Sequence, residues 1–272
     1  MPAKSDTGRV NLGDFFDRVR DQAVPLNTRV SYFAAGATLN EEDLRDYLED
    51  PLAALPPAAE AILPRLIVLL VPYLERANGK TETRAGKGAA AAERGKDHAT
   101  IAAKGEWVAF ESPPDGRALR ALRWLEGETL VIVLAIDEME VAEYHYELYH
   151  QLAAHIAESC PPAKVAGYQG LIREELSNHM HGEVDEESWQ HKQVLLRRQN
   201  GHIRDSKAFR EYARHSLVDT LTLYLHGICC DIDVETGPRQ LPSRFLRKRL
   251  NLIREIFPPP SGYAVFPEEL DR

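Results

Sequence analysis

The sequence predicts an α+β protein that is predominantly α-helical, with a small three-stranded antiparallel meander packed against helices. Residues 206–232 predict a central helix, which is apolar around most of its circumference from Leu217 to Ile228, and apolar runs separated by turn residues between 107 and 137 predict the strands. Of the 272 residues, 44% are hydrophobic and 28% are charged. This chain is long enough to bury a hydrophobic core and has the composition of an ordinary globular protein.

Residues 1–77 are predicted to form a helical N-terminal region. Asn40 with Asp43 fits the start of a helix, because each side chain can accept the other's backbone N–H. Residues 56–78 begin with two prolines, which suit a first helical turn, and predict a further helix. Residues 28–35 fit either a short strand or the end of a helix. A first helix is indicated by four apolar residues on one face: Leu12, Phe15, Phe16 and Val19.

Residues 78–104 differ in composition from the rest of the chain. Gly, Ala, Lys and Arg dominate and large apolar residues are nearly absent. Such a segment predicts a flexible linker or a long exposed loop. We therefore expect the main domain boundary here, followed by an α+β domain over 105–272.

The predicted meander opens this second domain. Its three strands are expected at 107–112, 118–126 and 129–137, and turn residues separate them. The third is apolar on both faces and should be the most buried. Helices are then expected at 139–158, within 164–201 on either side of a break at 179–185, at 206–232 and at 243–257.

The central helix carries one narrow polar stripe. Ser206 is its predicted N-cap, and the residues from Leu217 to Ile228 are apolar around most of the circumference. The helical turn of 3.6 residues places five polar residues on one side: His215, Asp219, Thr222, His226 and Cys230. They are expected to pair with neighbouring helices, because an unpaired buried polar group costs about 1–3 kcal/mol.

The alternative for this stripe is a metal site. His215 with Asp219, and His226 with Cys230, are i,i+4 pairs that can each point at one ion, with zinc as the natural choice. The two histidines are about 16 Å apart along the helix, so they cannot share that ion. A second helix would have to supply the remaining ligands.

His179 and His181 form a second candidate zinc site. A His-x-His pair can chelate zinc, and Glu174, Glu175 or Glu183 could add a carboxylate. The preferred interpretation places both histidines at a helix C-terminus, where a positive charge is favourable.

Arg210 and His215 have the Arg-x4-His spacing of the HEPN family of helical ribonucleases, which this segment resembles. The resemblance implies that an Arg and a His act at an RNA phosphate across a dimer, without a metal. Position 211 departs from the family's pattern, because Glu stands where a neutral polar or basic residue is usual.

Charge is distributed unevenly. The chain has a net charge of −9, which argues against a general nucleic-acid-binding surface. Residues 81–189 hold 10 basic and 20 acidic residues, whereas 190–256 hold 13 basic and 7 acidic. One helix presents a basic face that could contact phosphates or the acidic middle of the same chain, and we favour the second: Arg244, Arg247, Lys248, Arg249 and Arg254.

The leading functional hypothesis is a non-enzymatic interaction or regulatory protein that binds another protein or a second copy of itself. No phosphate-binding loop, nucleophile motif or strong metal motif stands out, and no cofactor is predicted beyond the zinc alternatives. The competing hypothesis is a hydrolase, either metal-dependent or a HEPN-like ribonuclease. The N-terminus lacks the apolar core of a signal peptide, and no apolar run reaches the ~20 residues of a membrane span, which predicts a cytoplasmic protein.

Overall fold

A computed structural model describes residues 8–36, 39–77, 103–137, 139–198, 204–230 and 241–266. The chain divides into two compact units that are interleaved along the sequence. Unit 1 comprises Met1–Leu44 and Pro64–Gln151, and unit 2 comprises Arg45–Leu63 and Leu152–Arg272. The linker predicted at 78–104 lies almost entirely outside the described residues, so the domain boundaries placed around it stay a prediction.

Unit 1 contains a five-stranded mixed sheet. The strands are β2 (Val24–Pro25), β3 (Val30–Ala34), β4 (Arg65–Val71), β8 (Ala121–Glu126) and β9 (Thr129–Ala135). Their order is β2-β3-β4-β9-β8, with β4 parallel to both β3 and β9, and antiparallel pairs at the two edges. β4 and β9, which pair with each other at the centre of the sheet, are its most buried strands, and their sequences are apolar on both faces.

A second, antiparallel sheet belongs to the same unit. It has four short strands in the order β1-β6-β5-β7. Their bounds are β1 Arg9–Asn11, β5 Tyr73–Glu75, β6 Trp107–Ala109 and β7 Ala118–Leu119. Helix α1 (Leu12–Val19) starts directly after β1, where the Asn11 side chain accepts from the N–H groups of Gly13 and Asp14. The predicted apolar face of α1 is confirmed, since Phe16 packs edge-on against Trp124 in the core.

Two expectations for this region are wrong. The three-stranded meander does not form, because the strand around Trp107 pairs in the four-stranded sheet while β8 and β9 form a hairpin within the five-stranded one. The helix predicted over 56–78 is only the four-residue helix Pro57–Glu60, followed by β4 and β5. Pro64 and Pro72 bound β4, and its apolar residues are buried on both sides between two parallel strands.

Unit 2 is helical in its described part. A short helical segment begins in unit 1 with α2 (Glu41–Leu44) and continues through a π-helical turn at Arg45–Glu49 into α3 (Asp50–Ala53), and α4 is Pro57–Glu60. The predicted capping of α2 is confirmed, since Asn40 and Asp43 each accept the other's backbone N–H. The longer helices are α5 (Val141–Ser159, which crosses the unit boundary), α6 (Pro162–Ser177), α7 (Glu186–Arg198), α8 (Lys207–Cys230) and α9 (Ser243–Ile256).

Helix α8 is the central helix that the sequence predicted. Ser206 caps it by accepting from the Phe209 N–H at 3.2 Å. Leu221 and Ile228 are 0% and 4% exposed, so the helix is covered on its apolar sides by its surroundings. The described residues include no helix that is both long and apolar enough to cross a membrane.

Candidate functional site

The predicted candidate His215 lies on α8 against the start of α7. Its Nδ1 is 2.9 Å from Glu187 Oε1, and its ring stacks on that of His191 with 3.8 Å between centroids. Glu187 and His191 are themselves an i,i+4 pair, so they share one face of α7. One ligand atom from each of the three residues lies within 4.8 Å of the others. This arrangement, the His215 site, is a candidate centre for a metal ion.

The donor set matches zinc chemistry. Two imidazoles and one carboxylate are a common set of three protein ligands, and a three-ligand site leaves at least one coordination position open. Burial, followed by the nearby His215, lowers the pKa of His191, so its imidazole is unprotonated at neutral pH and has a lone pair to offer. The Glu187 side chain is 52% exposed, which gives the site access to solvent.

The stacked rings impose one condition on metal binding. The two ring planes differ by only 10°, and an imidazole nitrogen binds a metal in the plane of its own ring. Two parallel rings 3.8 Å apart therefore cannot both aim at one ion. One of the two imidazoles must rotate about its side-chain torsions before the site can close around a metal.

Arg214 completes the surroundings of His215. Its Nη2 is 2.7 Å from His215 Nε2 and 3.4 Å from Glu211 Oε2, and its Nη1 is 3.9 Å from Glu158 Oε1. A guanidinium has no acceptor, so Nε2 must accept this bond. The His215 proton is then on Nδ1, which donates to Glu187. His215 is thus held between a cation and an anion.

Asp219 lies one turn beyond His215 on α8 and is 1% exposed. Its Oδ2 accepts from the Ser188 N–H at 3.3 Å, in the first turn of α7. Asp185 caps the same helix end by accepting from the Glu186 N–H at 2.6 Å. Burial, with smaller contributions from the carboxylates of Asp185 and Glu187, raises the pKa of Asp219 to about 7 despite the Ser188 hydrogen bond. Asp219 therefore ties α8 to the start of α7.

The other sequence candidates on α8 lie away from this site. Arg210 is 58% exposed at the side chain and pairs with Asp205 at 3.4 Å, so its described partner is not His215. His226 is buried and Cys230 is half-buried, about three and about four turns beyond His215. A hydrogen bond with Cys229 and burial raise the pKa of the Cys230 thiol. The structure thus brings His215 near Asp219 but not near His226. Their functional roles stay predictions.

The second predicted zinc pair follows the end of α6. His179 and His181 are exposed, and His179 has a positive φ of 53°, which fits the preferred interpretation of a helix C-terminus. The carboxylates suggested as their co-ligands are used elsewhere: Glu174 pairs with Lys248 at 3.1 Å, and Glu175 and Glu183 pair with Arg249. Within the described residues, these two histidines do not join a group of three close donors.

Those carboxylates belong to a buried ionic cluster, which we call the Arg249 cluster. Arg249 is 0% exposed and binds Glu175 Oε2 at 2.6 Å and Glu183 Oε2 at 2.7 Å. Lys192 donates to Glu183 at 3.4 Å, and Tyr212 donates to the same carboxylate. The two basic and two acidic side chains balance, and their hydrogen bonds link helices α6 to α9.

The two glutamates differ in pKa because they have different numbers of donors. Burial raises the pKa of Glu175, and Arg249 only partly offsets this effect. Burial also acts on Glu183, but Arg249, Lys192 and Tyr212 together outweigh it and lower its pKa. Every donor in the cluster is engaged inside a closed core, so we assign it to structure and not to catalysis.

The basic residues predicted on one face of α9 do not share one environment, because Arg249 is buried whereas Arg244 and Lys248 are exposed. The neighbours of Arg249 in the helical stripe are Leu246, Leu250 and Ile253, all buried, so the same periodicity carries Arg249 inward. The favoured contact with the acidic middle of the chain is observed, since Arg249 and Lys248 pair with glutamates of α6. Sequence reasoning also missed Glu187 and His191 as partners of His215. Their i,i+4 spacing was the available signal.

Comparisons with family models, curated proteins and solved structures gave no match.

Proposed function

We propose that the protein is a metal-dependent hydrolase whose ion, with zinc as the best fit, is held by Glu187, His191 and His215. The observation that carries this proposal is the convergence of these three donors from two packed helices within 4.8 Å. It develops the metal-dependent alternative of the sequence analysis, with different co-ligands for His215.

The number and exposure of the ligands favour a catalytic over a structural ion. Structural zinc sites are closed by four protein ligands, whereas catalytic sites use three and keep a position for water or substrate. Here two half-buried imidazoles and an exposed carboxylate lie at the protein surface. Zinc held in this way would act as a Lewis acid and acidify bound water, which is the chemistry of hydrolysis.

The remaining side chains have defined parts in this proposal. Glu187 accepts the Nδ1 proton of His215 in the metal-free protein and would become a ligand when one ring turns. Asp219 fixes the start of α7, and with it the position of Glu187, relative to α8. We regard Asp219 as a positioning residue, because it is buried beneath the site and 1% exposed.

The test starts with the full-length protein stripped of metal by a chelator. Equilibrium dialysis against zinc should give one bound ion per chain, and His215→Ala and His191→Ala should each remove it. His181→Ala should leave binding unchanged. Loss of zinc in His181→Ala alone would move the site to the His179–His181 pair and overturn the proposal.

Turnover is measured next on phosphate ester, carboxylic ester and amide substrates, with and without zinc. We expect zinc-dependent hydrolysis that is lost in His215→Ala. Zinc bound at this site without turnover of any substrate would instead favour the non-enzymatic regulatory role that the sequence analysis ranked first.

A further inference from the structure

Both ring nitrogens of His215 contact neighbouring side chains. Nδ1 donates to Glu187 at 2.9 Å, and Nε2 accepts from Arg214 at 2.7 Å. The imidazole therefore has no spare lone pair for a metal. Any ion that binds His215 must displace one of these two partners.

Binding at either nitrogen removes the acceptor of Arg214. An ion on Nε2 takes the lone pair that now accepts from the guanidinium. An ion on Nδ1 requires the ring proton to move to Nε2, which can then no longer accept. Arg214 thus loses its hydrogen bond to His215 in both cases, and it remains on the same helix, next to the ion.

The released guanidinium is suited to a bound anion. Its two described carboxylate contacts, to Glu211 and Glu158, are long at 3.4 Å and 3.9 Å, and the side chain is 34% exposed. Arginine presents a planar fork of N–H groups that fits the paired oxygens of phosphate or carboxylate. A dication beside a guanidinium also repels it unless an anion lies between them.

We propose that the metal-loaded site binds an oxyanion group that bridges the ion and Arg214. The inference rests on the proposed function and narrows its substrates to molecules in which a phosphate or carboxylate lies next to the bond that is cleaved. Arg214 serves in the metal-free protein as a partner of His215 and in the loaded protein as an anion ligand.

The experiment uses isothermal titration of inorganic phosphate, and of acetate in a parallel arm, into the full-length protein with stoichiometric zinc and into the metal-free protein. We expect phosphate to bind at least ten-fold more tightly to the zinc-loaded protein. Arg214→Gln should keep one zinc per chain and lose most of this gain. The matched control Arg198→Gln, which removes an exposed arginine of α7, should bind as the unchanged protein does.

The possible results distinguish a failure of the proposed function from a failure of the inference about Arg214. A protein that binds no zinc overturns the proposed function, and the inference with it. Zinc binding with phosphate affinity that is unaffected by Arg214→Gln overturns only the inference, as does equal phosphate affinity with and without zinc. If far-UV circular dichroism shows that Arg214→Gln does not fold, Arg214→Lys replaces it. Lysine keeps the positive charge but lacks the paired N–H donors of the guanidinium, so Arg214→Lys should lose part of the zinc-dependent gain in phosphate affinity. The acetate arm shows whether the site prefers a carboxylate to a phosphate.

Discussion

Replacing Asp219 with asparagine should change how the stability of the protein depends on pH. Asparagine keeps an acceptor for the Ser188 N–H but has no proton to exchange, and its size is nearly unchanged. The substitution therefore isolates the ionisation of one buried carboxyl group from its hydrogen bond and its packing.

The size of this pH dependence of the unfolding free energy follows from the pKa of Asp219 in the folded and unfolded states. Burial raises the folded value to about 7, whereas an aspartate in an unfolded chain has a pKa near ~3.9. Between these values the folded protein holds a proton that the unfolded chain has released. The contribution of Asp219 to the unfolding free energy is therefore fully present below pH ~3.9. It is lost as the pH rises through the folded-state pKa, at up to about 1.4 kcal/mol per pH unit.

The assay is urea denaturation of metal-free protein at several pH values from 5 to 8, followed by far-UV circular dichroism. Relative to the unchanged protein, Asp219→Asn should gain about 2 kcal/mol of unfolding free energy between pH 5 and pH 7. Asp205→Asn, which alters a largely exposed carboxylate of the same unit, is the control and should show no such trend. Parallel stability curves for Asp219→Asn and the unchanged protein would show that Asp219 does not hold a proton in the folded state at these pH values.

Two further substitutions test the helical core. Arg249→Met should lower the unfolding free energy by about 3–5 kcal/mol, because it leaves two buried carboxylates without their main partner, whereas Lys248→Met at an exposed ion pair should cost about 1 kcal/mol or less. Equal losses of unfolding free energy in these two variants would contradict the structural role of the Arg249 cluster. Leu221→Ala should cost about 2–5 kcal/mol by leaving a cavity around α8, as measured by the same denaturation, and a loss below ~1 kcal/mol would mean that the helix is not enclosed.

The elements that the sequence predicted well are those whose signal is local. Helix α8 is apolar around its circumference and has a capping serine at its start, so both its existence and its burial could be inferred. The Asn40–Asp43 cap and the apolar face of α1 are local in the same sense. Each depends on residues within a few positions of one another.

The elements that the sequence predicted wrongly are strands whose partners lie far away in the sequence. Residues 65–71 form an apolar run that fits a buried helix or a buried strand equally well, and only the parallel partners β3 and β9 decide between them. The pairing of the strand at Trp107 was missed for the same reason, since both of its partners, β1 and β5, lie far earlier in the chain. The hydrophobic periodicity within a segment does not predict which distant strand that segment will pair with.

The residues of the candidate site also differ in whether a local signal could identify them. The stripe on α8 pointed to His215, but Glu187 and His191 became its partners only through the packing of α7 against α8. The charge balance along the chain indicated that the basic helix α9 contacts the acidic middle, but the particular partners of Arg249, Glu175 and Glu183, are set by the packing of α9 against α6 and its following loop.

The zinc site between α7 and α8 is tested most directly by a crystal structure of the zinc-soaked protein with anomalous diffraction measured at the zinc edge. We expect a single strong anomalous peak between α7 and α8, with one nitrogen each of His191 and His215 at about 2.0–2.1 Å and the two rings no longer parallel. A peak at another place, or no peak while the rings keep the stacked arrangement, would contradict this expectation.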